Sequence, residues 1–180
     1  MEVGSGIRSP APQPDTLPAI QTGEEVYRLQ YFPDQSGPAE SLQIPDRVGV
    51  VIRATYTNRL KDTVLVHWYR RDRPDFTLFR RIGDTWQAAY DPIPPIGEDY
   101  LALAPGQSHT FIVVADHYLA ERMAVGFTIG TRKAKPEEIP GEYRLFFTVL
   151  KRSPDPHRLG ERVPPHARIS NAFRIEGPPK

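Results

Sequence analysis

The run IPGEYRLFFTVLKRSP, Ile139 to Pro154, sets the strand rhythm of this chain. It opens on a Pro-Gly pair, alternates bulky and mixed side chains, and stops at another proline. Alternation with period two marks a strand with one buried face. Proline lacks an N–H and is excluded from helix interiors and central strands, so it bounds the run on both sides. The chain holds 20 prolines, clustered near the front, at Pro92, Pro94 and Pro95, at Pro154, Pro156, Pro164 and Pro165, and at Pro178 and Pro179. These clusters read as punctuation between short strands and leave almost no room for long helices.

The same rhythm recurs along the chain. EVYRLQYF sends Tyr27, Leu29 and Tyr31 to one side. RVGVVIRATYTN puts Val48, Val50, Ile52, Ala54 and Tyr56 on one face, and TVLVHWYR puts Val64, Val66 and Trp68 on one face. The link TNRLKD between them is short and polar, which predicts an antiparallel hairpin. FTLFRRIGDTWQAAY reads as strand, Gly83-Asp84 turn, strand, with the glycine supplying positive φ. DPIPPIGEDYLAL reads as irregular. A Pro105-Gly106 turn precedes a strand with Phe111, Val113 and Ala115 on one side. DHYLAERMA is the expected helix, with Asp116 as N-cap and Leu119 and Met123 one turn apart. AVGFTIG is a short strand, and SNAFRIEG is the last one, with Phe173 and Ile175 inward. RSPDPHRLGERVPPHARI is expected to be a long polar loop. About eight short strands with closely spaced turns predict an all-β, antiparallel sandwich or barrel. Residues 1–22 read as a proline-rich tail or linker, and residues 23–177 as one domain.

Gly141, Tyr143 and Leu145 fall at alternate positions. Immunoglobulin-type sandwiches use this spacing at the start of their sixth strand, where the tyrosine hydroxyl bonds back to nearby backbone. Leu145 and Ala54 would then stand where such domains place a disulfide, under Trp68. Alternatively, Tyr143 is one more residue of an amphipathic strand. The segments TNRLKDTV, LFRRIGDTWQAAYDP, LALAPGQSHTF, GEYRLFFTV and SNAFRIE resemble small bacterial immunoglobulin-like domains, similar in pattern to the intracellular proteinase inhibitor type. The resemblance spans roughly residues 47–176 and rests on turn and core motifs. It implies an immunoglobulin-like β-sandwich, bacterial and extracytoplasmic (periplasmic or cell surface) rather than cytoplasmic. No inhibitory loop matches, so inhibitor activity does not carry over.

Composition narrows the chemistry. With 23 Lys plus Arg against 22 Asp plus Glu, the formal net charge is +1, which gives no global pull toward nucleic acid or anionic membrane. There are no cysteines, which excludes disulfides, thiolate catalysis, iron–sulfur clusters and Cys-based zinc sites. No apolar run is long enough to span a bilayer as a helix, and the front of the chain lacks a signal-peptide pattern. The histidines His67, His109, His117, His157 and His166 form no ligand-spaced pair and read as scattered surface residues. No G-x-S-x-G elbow is present, and adjacent Ser108 and His109 point to opposite faces of a strand. No cofactor is expected.

Two features remain. Arg70, Arg71, Arg73, Arg80 and Arg81 accumulate around Asp72 and Asp75, either as a basic patch for a polyanion or as an ion-paired hairpin edge. The near-zero net charge favours the ion-paired edge. Trp86, Tyr90 and Tyr100 bracket the loop DPIPPIGED, and with Ile93 and Ile96 they form the candidate binding surface. The plainer alternative is that Trp86 packs over the sheet edge. The expectation is a non-catalytic protein-interaction or structural module binding a protein partner or neighbouring subunit; a carbohydrate-binding module with exposed rings around Trp86 is the alternative.

Overall fold

The computed structural model describes residues 17–32, 47–69, 73–92, 99–119, 125–155 and 158–178. The protein is all-β, and its sheets are antiparallel apart from one parallel pairing and one parallel bridge. In chain order the strands are β1 (Ile20–Thr22), β2 (Val26–Arg28), β3 (Gln30–Phe32), β4 (Arg47–Thr57), β5 (Val64–Tyr69), β6 (Arg73–Pro74), β7 (Phe76–Ile82) and β8 (Thr85–Tyr90). They continue as β9 (Asp99–Leu103), β10 (Ser108–Tyr118), β11 (Thr128–Ile129), β12 (Arg132–Lys133), β13 (Gly141–Phe147), β14 (Val149–Lys151) and β15 (Phe173–Glu176).

One sheet has the order β1-β4-β10, with β3 also on β4. A second runs β2-β15-β13-β7-β8, and a third β14-β5-β6 with β9 on β5. The second and third are joined at Thr148, where β13 gives way to β14. The Thr148 N–H donates to the Asp75 carbonyl and the Thr148 carbonyl accepts from His67 N–H. Both groups of one strand residue point to the same side, so β5 and β7 follow one another along one edge of the 141–151 run. The Asp75 N–H to His67 carbonyl bond closes the neck of the excursion between them.

Alternation settles the inner faces. Val48, Val50, Ile52, Ala54 and Tyr56 are buried, as are Tyr143, Leu145 and Phe147, and Phe173 and Ile175. The rings of Tyr56 and Phe111 lie 6.4 and 5.3 Å from Phe147, which brings the β4–β10 sheet against the β13 sheet in one core. Gly83 and Gly106 take φ of 58° and 77°, the positive values their turns require. Buried Asn58 donates to the carbonyls of Asp62 and Leu103 and accepts from Leu60 N–H, so its amide ties two connections together.

Several expectations are corrected. β4 and β5 do not form a hairpin: β4 pairs with β1, β3 and β10, and β5 with β6, β9 and β14. The short link between them crosses from one sheet to another, held by Asn58. EVYRLQYF is two strands, because the chain changes sheets at Leu29; Tyr27 and Leu29 are buried but Tyr31 is 60% exposed. The fold begins before residue 23, since Ile20 is buried and pairs with Tyr56. Asp99–Leu103, read as irregular, is a strand on β5. The expected helix does not start at Asp116: residues 116–118 continue β10, paired with Arg47–Gly49. Cross-strand bonds to β4 outweigh a local N-cap there, and Met123 lies outside the described residues. Trp68 is only partly buried at the rim of the core. The late loop is less polar in its setting than in its sequence, since Val163 and Ala167 are buried and it bridges through Arg162 to Leu150 and through Ile169 to Phe146.

Candidate functional site

The residues expected to act together separate in three dimensions. Tyr90 is 3% exposed, and its ring stacks on Phe76 at 5.6 Å and tilts against Phe127 at 5.1 Å. Its hydroxyl accepts the Asp116 N–H at 3.2 Å, and burial pushes its pKa well up. It is a core residue rather than an exposed ring, because a register shift between Leu78 and Phe79 keeps both Ala89 and Tyr90 buried. Tyr100 stacks on His67 at 5.0 Å, and His67 Nδ1 lies 3.2 Å from Asp75 Oδ2 at the neck of the excursion. Ile93 and Ile96 lie outside the described residues, as do Arg70 and Arg71.

Among the arginines, Arg73 is exposed on β6. Arg80 donates to the carbonyls of Glu138 and Pro140 at 2.5 and 2.8 Å. A Cβ on Gly141 would approach Arg80 Nε to 2.8 Å, so the glycine of the Pro-Gly pair makes room for this guanidinium. Close by, the Tyr143 hydroxyl donates to the Ile139 carbonyl, and Tyr143 is 1% exposed. Glu138 takes a bidentate pair from Arg132 at 2.7 and 2.8 Å and accepts from Lys135 N–H. Those bonds hold its carboxyl down to about 2. Every one of these groups bonds within the corner, so Arg80 is structural. Arg81 pairs with Glu142 on β13 at 3.2 Å, across the interior of the sheet rather than with the Asp72 and Asp75 of the expected ion-paired edge.

The outward face of β8, β7 and β13 is different. Strand alternation turns Trp86, Phe79, Arg81, Glu142, Arg144 and Phe146 away from the core. Arg144 sits opposite Phe79 in the register, and Trp86 opposite Arg81. The Arg144 guanidinium lies 4.6 Å from the Trp86 ring centre, and that of Arg168 5.6 Å from Phe146. Phe79 and Phe146 meet at 4.6 Å. Apart from exposed Arg81 all are half-buried, and Ala88 beside them is exposed. The Nε atoms of Arg144 and Arg168 are buried and have no hydrogen-bond partner among the described residues. Burial pulls both guanidinium pKa values down; at Arg144 the Glu142 carboxylate partly offsets this and Arg81 adds to it, and at Arg168 the neighbouring Arg162 adds to it. Trp86 was legible in the sequence as a candidate; Phe79, Phe146, Arg144 and Arg168 were not singled out. The available signal was parity: Phe79 and Phe146 are large apolar residues at the solvent positions of clearly alternating strands.

The histidines are not all on the surface. His117 is 1% exposed, and its Nδ1 accepts the Phe127 N–H at 3.0 Å. Burial, with Lys133 nearby, lowers its pKa to about 4. Among the described residues no group of three or more His, Asp or Glu is placed to hold a metal ion, and no helix is long and apolar enough to cross a membrane. No protein-family model matches this chain, and no curated protein matches it.

Proposed function

We propose that the chain is an immunoglobulin-like β-sandwich that acts as a non-catalytic protein-interaction module of a bacterial, extracytoplasmic assembly. The sandwich label is supported by the buried Tyr143 hydroxyl bonded to backbone upstream, and by Ala54 and Leu145, both fully buried, at the two positions where antibody-like domains keep a disulfide. It is also supported by the strand partition, with β1, β4 and β10 in one sheet and β5, β13–β14 and β15 in the other layer. Compartment and source follow from the resemblance alone. Turnover of a substrate is not part of this function.

The observation that carries the interaction role is the half-buried aromatic and arginine face made by Trp86, Phe79, Arg144, Phe146 and Arg168. Interfaces are enriched in aromatic residues and arginine, and such residues dominate binding energy. A sugar platform needs open ring faces. Here Arg144 covers Trp86, Tyr90 is in the core and Tyr100 stacks on His67, so the protein reading is preferred. A photo-crosslinking amino acid placed at exposed Ala88, in cells that make the protein naturally, should give one discrete adduct. The same probe at Val51, on the outer face of the other sheet, should give none. No adduct from Ala88, or the same adducts from both, would remove the proposal.

A further inference from the structure

Building on that interaction role, we infer that this face receives an acidic, carboxylate-bearing segment of the partner protein, with the guanidinium groups of Arg144 and Arg168 as its anchors. The argument is charge complementarity at a prepared surface. The described face carries Arg81, Arg144, Arg168 and Arg174, and its carboxylates are engaged elsewhere: Glu142 by Arg81, Glu176 by Arg28, and Asp91 by the Thr77 hydroxyl. Glu142 accepts from Arg81 and stands opposite Arg174 in the register; its charge offsets only part of the burial cost of Arg144, and neither Arg144 nor Arg168 forms an ion pair among the described residues. Each of these two is instead laid against a ring, at 4.6 Å and 5.6 Å, which fixes its orientation before any ligand arrives. With Nε buried, the terminal nitrogens remain as donors for an incoming carboxylate, a geometry the planar guanidinium serves well. Burial disfavours the two positive charges in the free protein, and an incoming carboxylate would restore what they lack.

The rings decide against nucleic acid. Single strands bind by stacking bases on open aromatic faces. Here Trp86 is covered by Arg144, and Phe146 is flanked by Phe79 and Arg168. Phe79, Phe146 and Ala88 instead offer apolar contact beside the two cations, which suits acidic residues alternating with apolar ones.

The test is selection of a displayed random-peptide library on the immobilised protein, followed by fluorescence anisotropy of the enriched peptides. Acidic peptides should be enriched, and an Arg144→Gln, Arg168→Gln variant with an unchanged melting profile should bind them at least ~10-fold more weakly. If the double variant melts early, Arg168→Gln alone is read, with a loss of at least ~3-fold expected and none overturning the idea. Neutral or basic winners that are blocked by Ala88→Arg would overturn the carboxylate assignment and leave the interaction role standing. Winners indifferent to Ala88→Arg, or no winners, would overturn both. A labelled thymidine oligonucleotide that binds as tightly as the peptides, and is lost in the same variants, would overturn the inference in favour of a polyanion site.

Discussion

Arg80 on β7 and Arg144 on β13 lie on neighbouring strands and differ in what their guanidinium groups touch. Arg80 is spent inside the molecule, on the carbonyls of Glu138 and Pro140. Arg144 lies over Trp86 with its Nε buried and unbonded among the described residues. The corner around Arg80 therefore satisfies itself, whereas the outer face around Arg144 leaves donors for something else. The buried Nε donors of Arg144 and Arg168 are closed off against rings at a free-energy cost, which leaves their terminal nitrogens as the groups a ligand could reach. The difference teaches that arginine content alone says little about binding; the distinction lies in where the donors go.

The comparison can be broken most decisively at the corner. Arg80→Ala removes two charge-assisted bonds and strands two carbonyls, so denaturant unfolding should show a loss of about 2–3 kcal/mol. A loss under ~0.5 kcal/mol would make Arg80 no more structural than Arg144. Tyr143→Phe keeps the ring but deletes the buried bond to Ile139, and should cost about 1–2 kcal/mol. Equal stability would remove the corner bond as a support for the immunoglobulin-like assignment, while leaving the all-β fold untouched.

A pH experiment probes another closed contact. The His117 pKa is depressed to about 4 from an ordinary 6.5, because burial disfavours the imidazolium and Lys133 adds to the effect. The unfolded chain therefore takes up this proton first as pH falls below 6.5. The stability contribution is present above 6.5, declines through the window from 6.5 to 4, and is gone below it. Between pH 7 and pH 5 the loss should be about 1 kcal/mol, allowing for solvent screening. An NMR titration of the His117 ring giving an ordinary value near 6.5 would contradict the buried acceptor geometry.

The smallest effect belongs to the outer face. Arg144→Gln should shift unfolding by less than ~0.5 kcal/mol, because no internal bond is lost and only the stacking over Trp86 changes. A loss as large as that of Arg80→Ala would show that the face is part of the scaffold and erase the contrast.

By itself the sequence determined the strand character of the chain and the inward residues of most strands. Side-chain alternation is a local property of extended backbone, so Val48 to Tyr56, Tyr143 to Phe147, and Phe173 with Ile175 could be assigned to the core without knowing any neighbour. The turns at Gly83 and Gly106 were legible for the same reason, since positive φ is a local demand met by glycine. Tertiary structure alone decided which strands lie side by side. Local pattern carries no information on whether β4 meets β5 or β10, on the sheet change at Leu29, or on the continuation of β10 through Asp116. It also decided the candidate surface. Trp86 was visible as an aromatic beside a proline-rich loop, but its partner Arg144 comes from a distant strand. The two meet only because β7 pairs with β8 on one side and with β13 on the other, so cross-strand register, a long-range property, sets which outward side chains share a face.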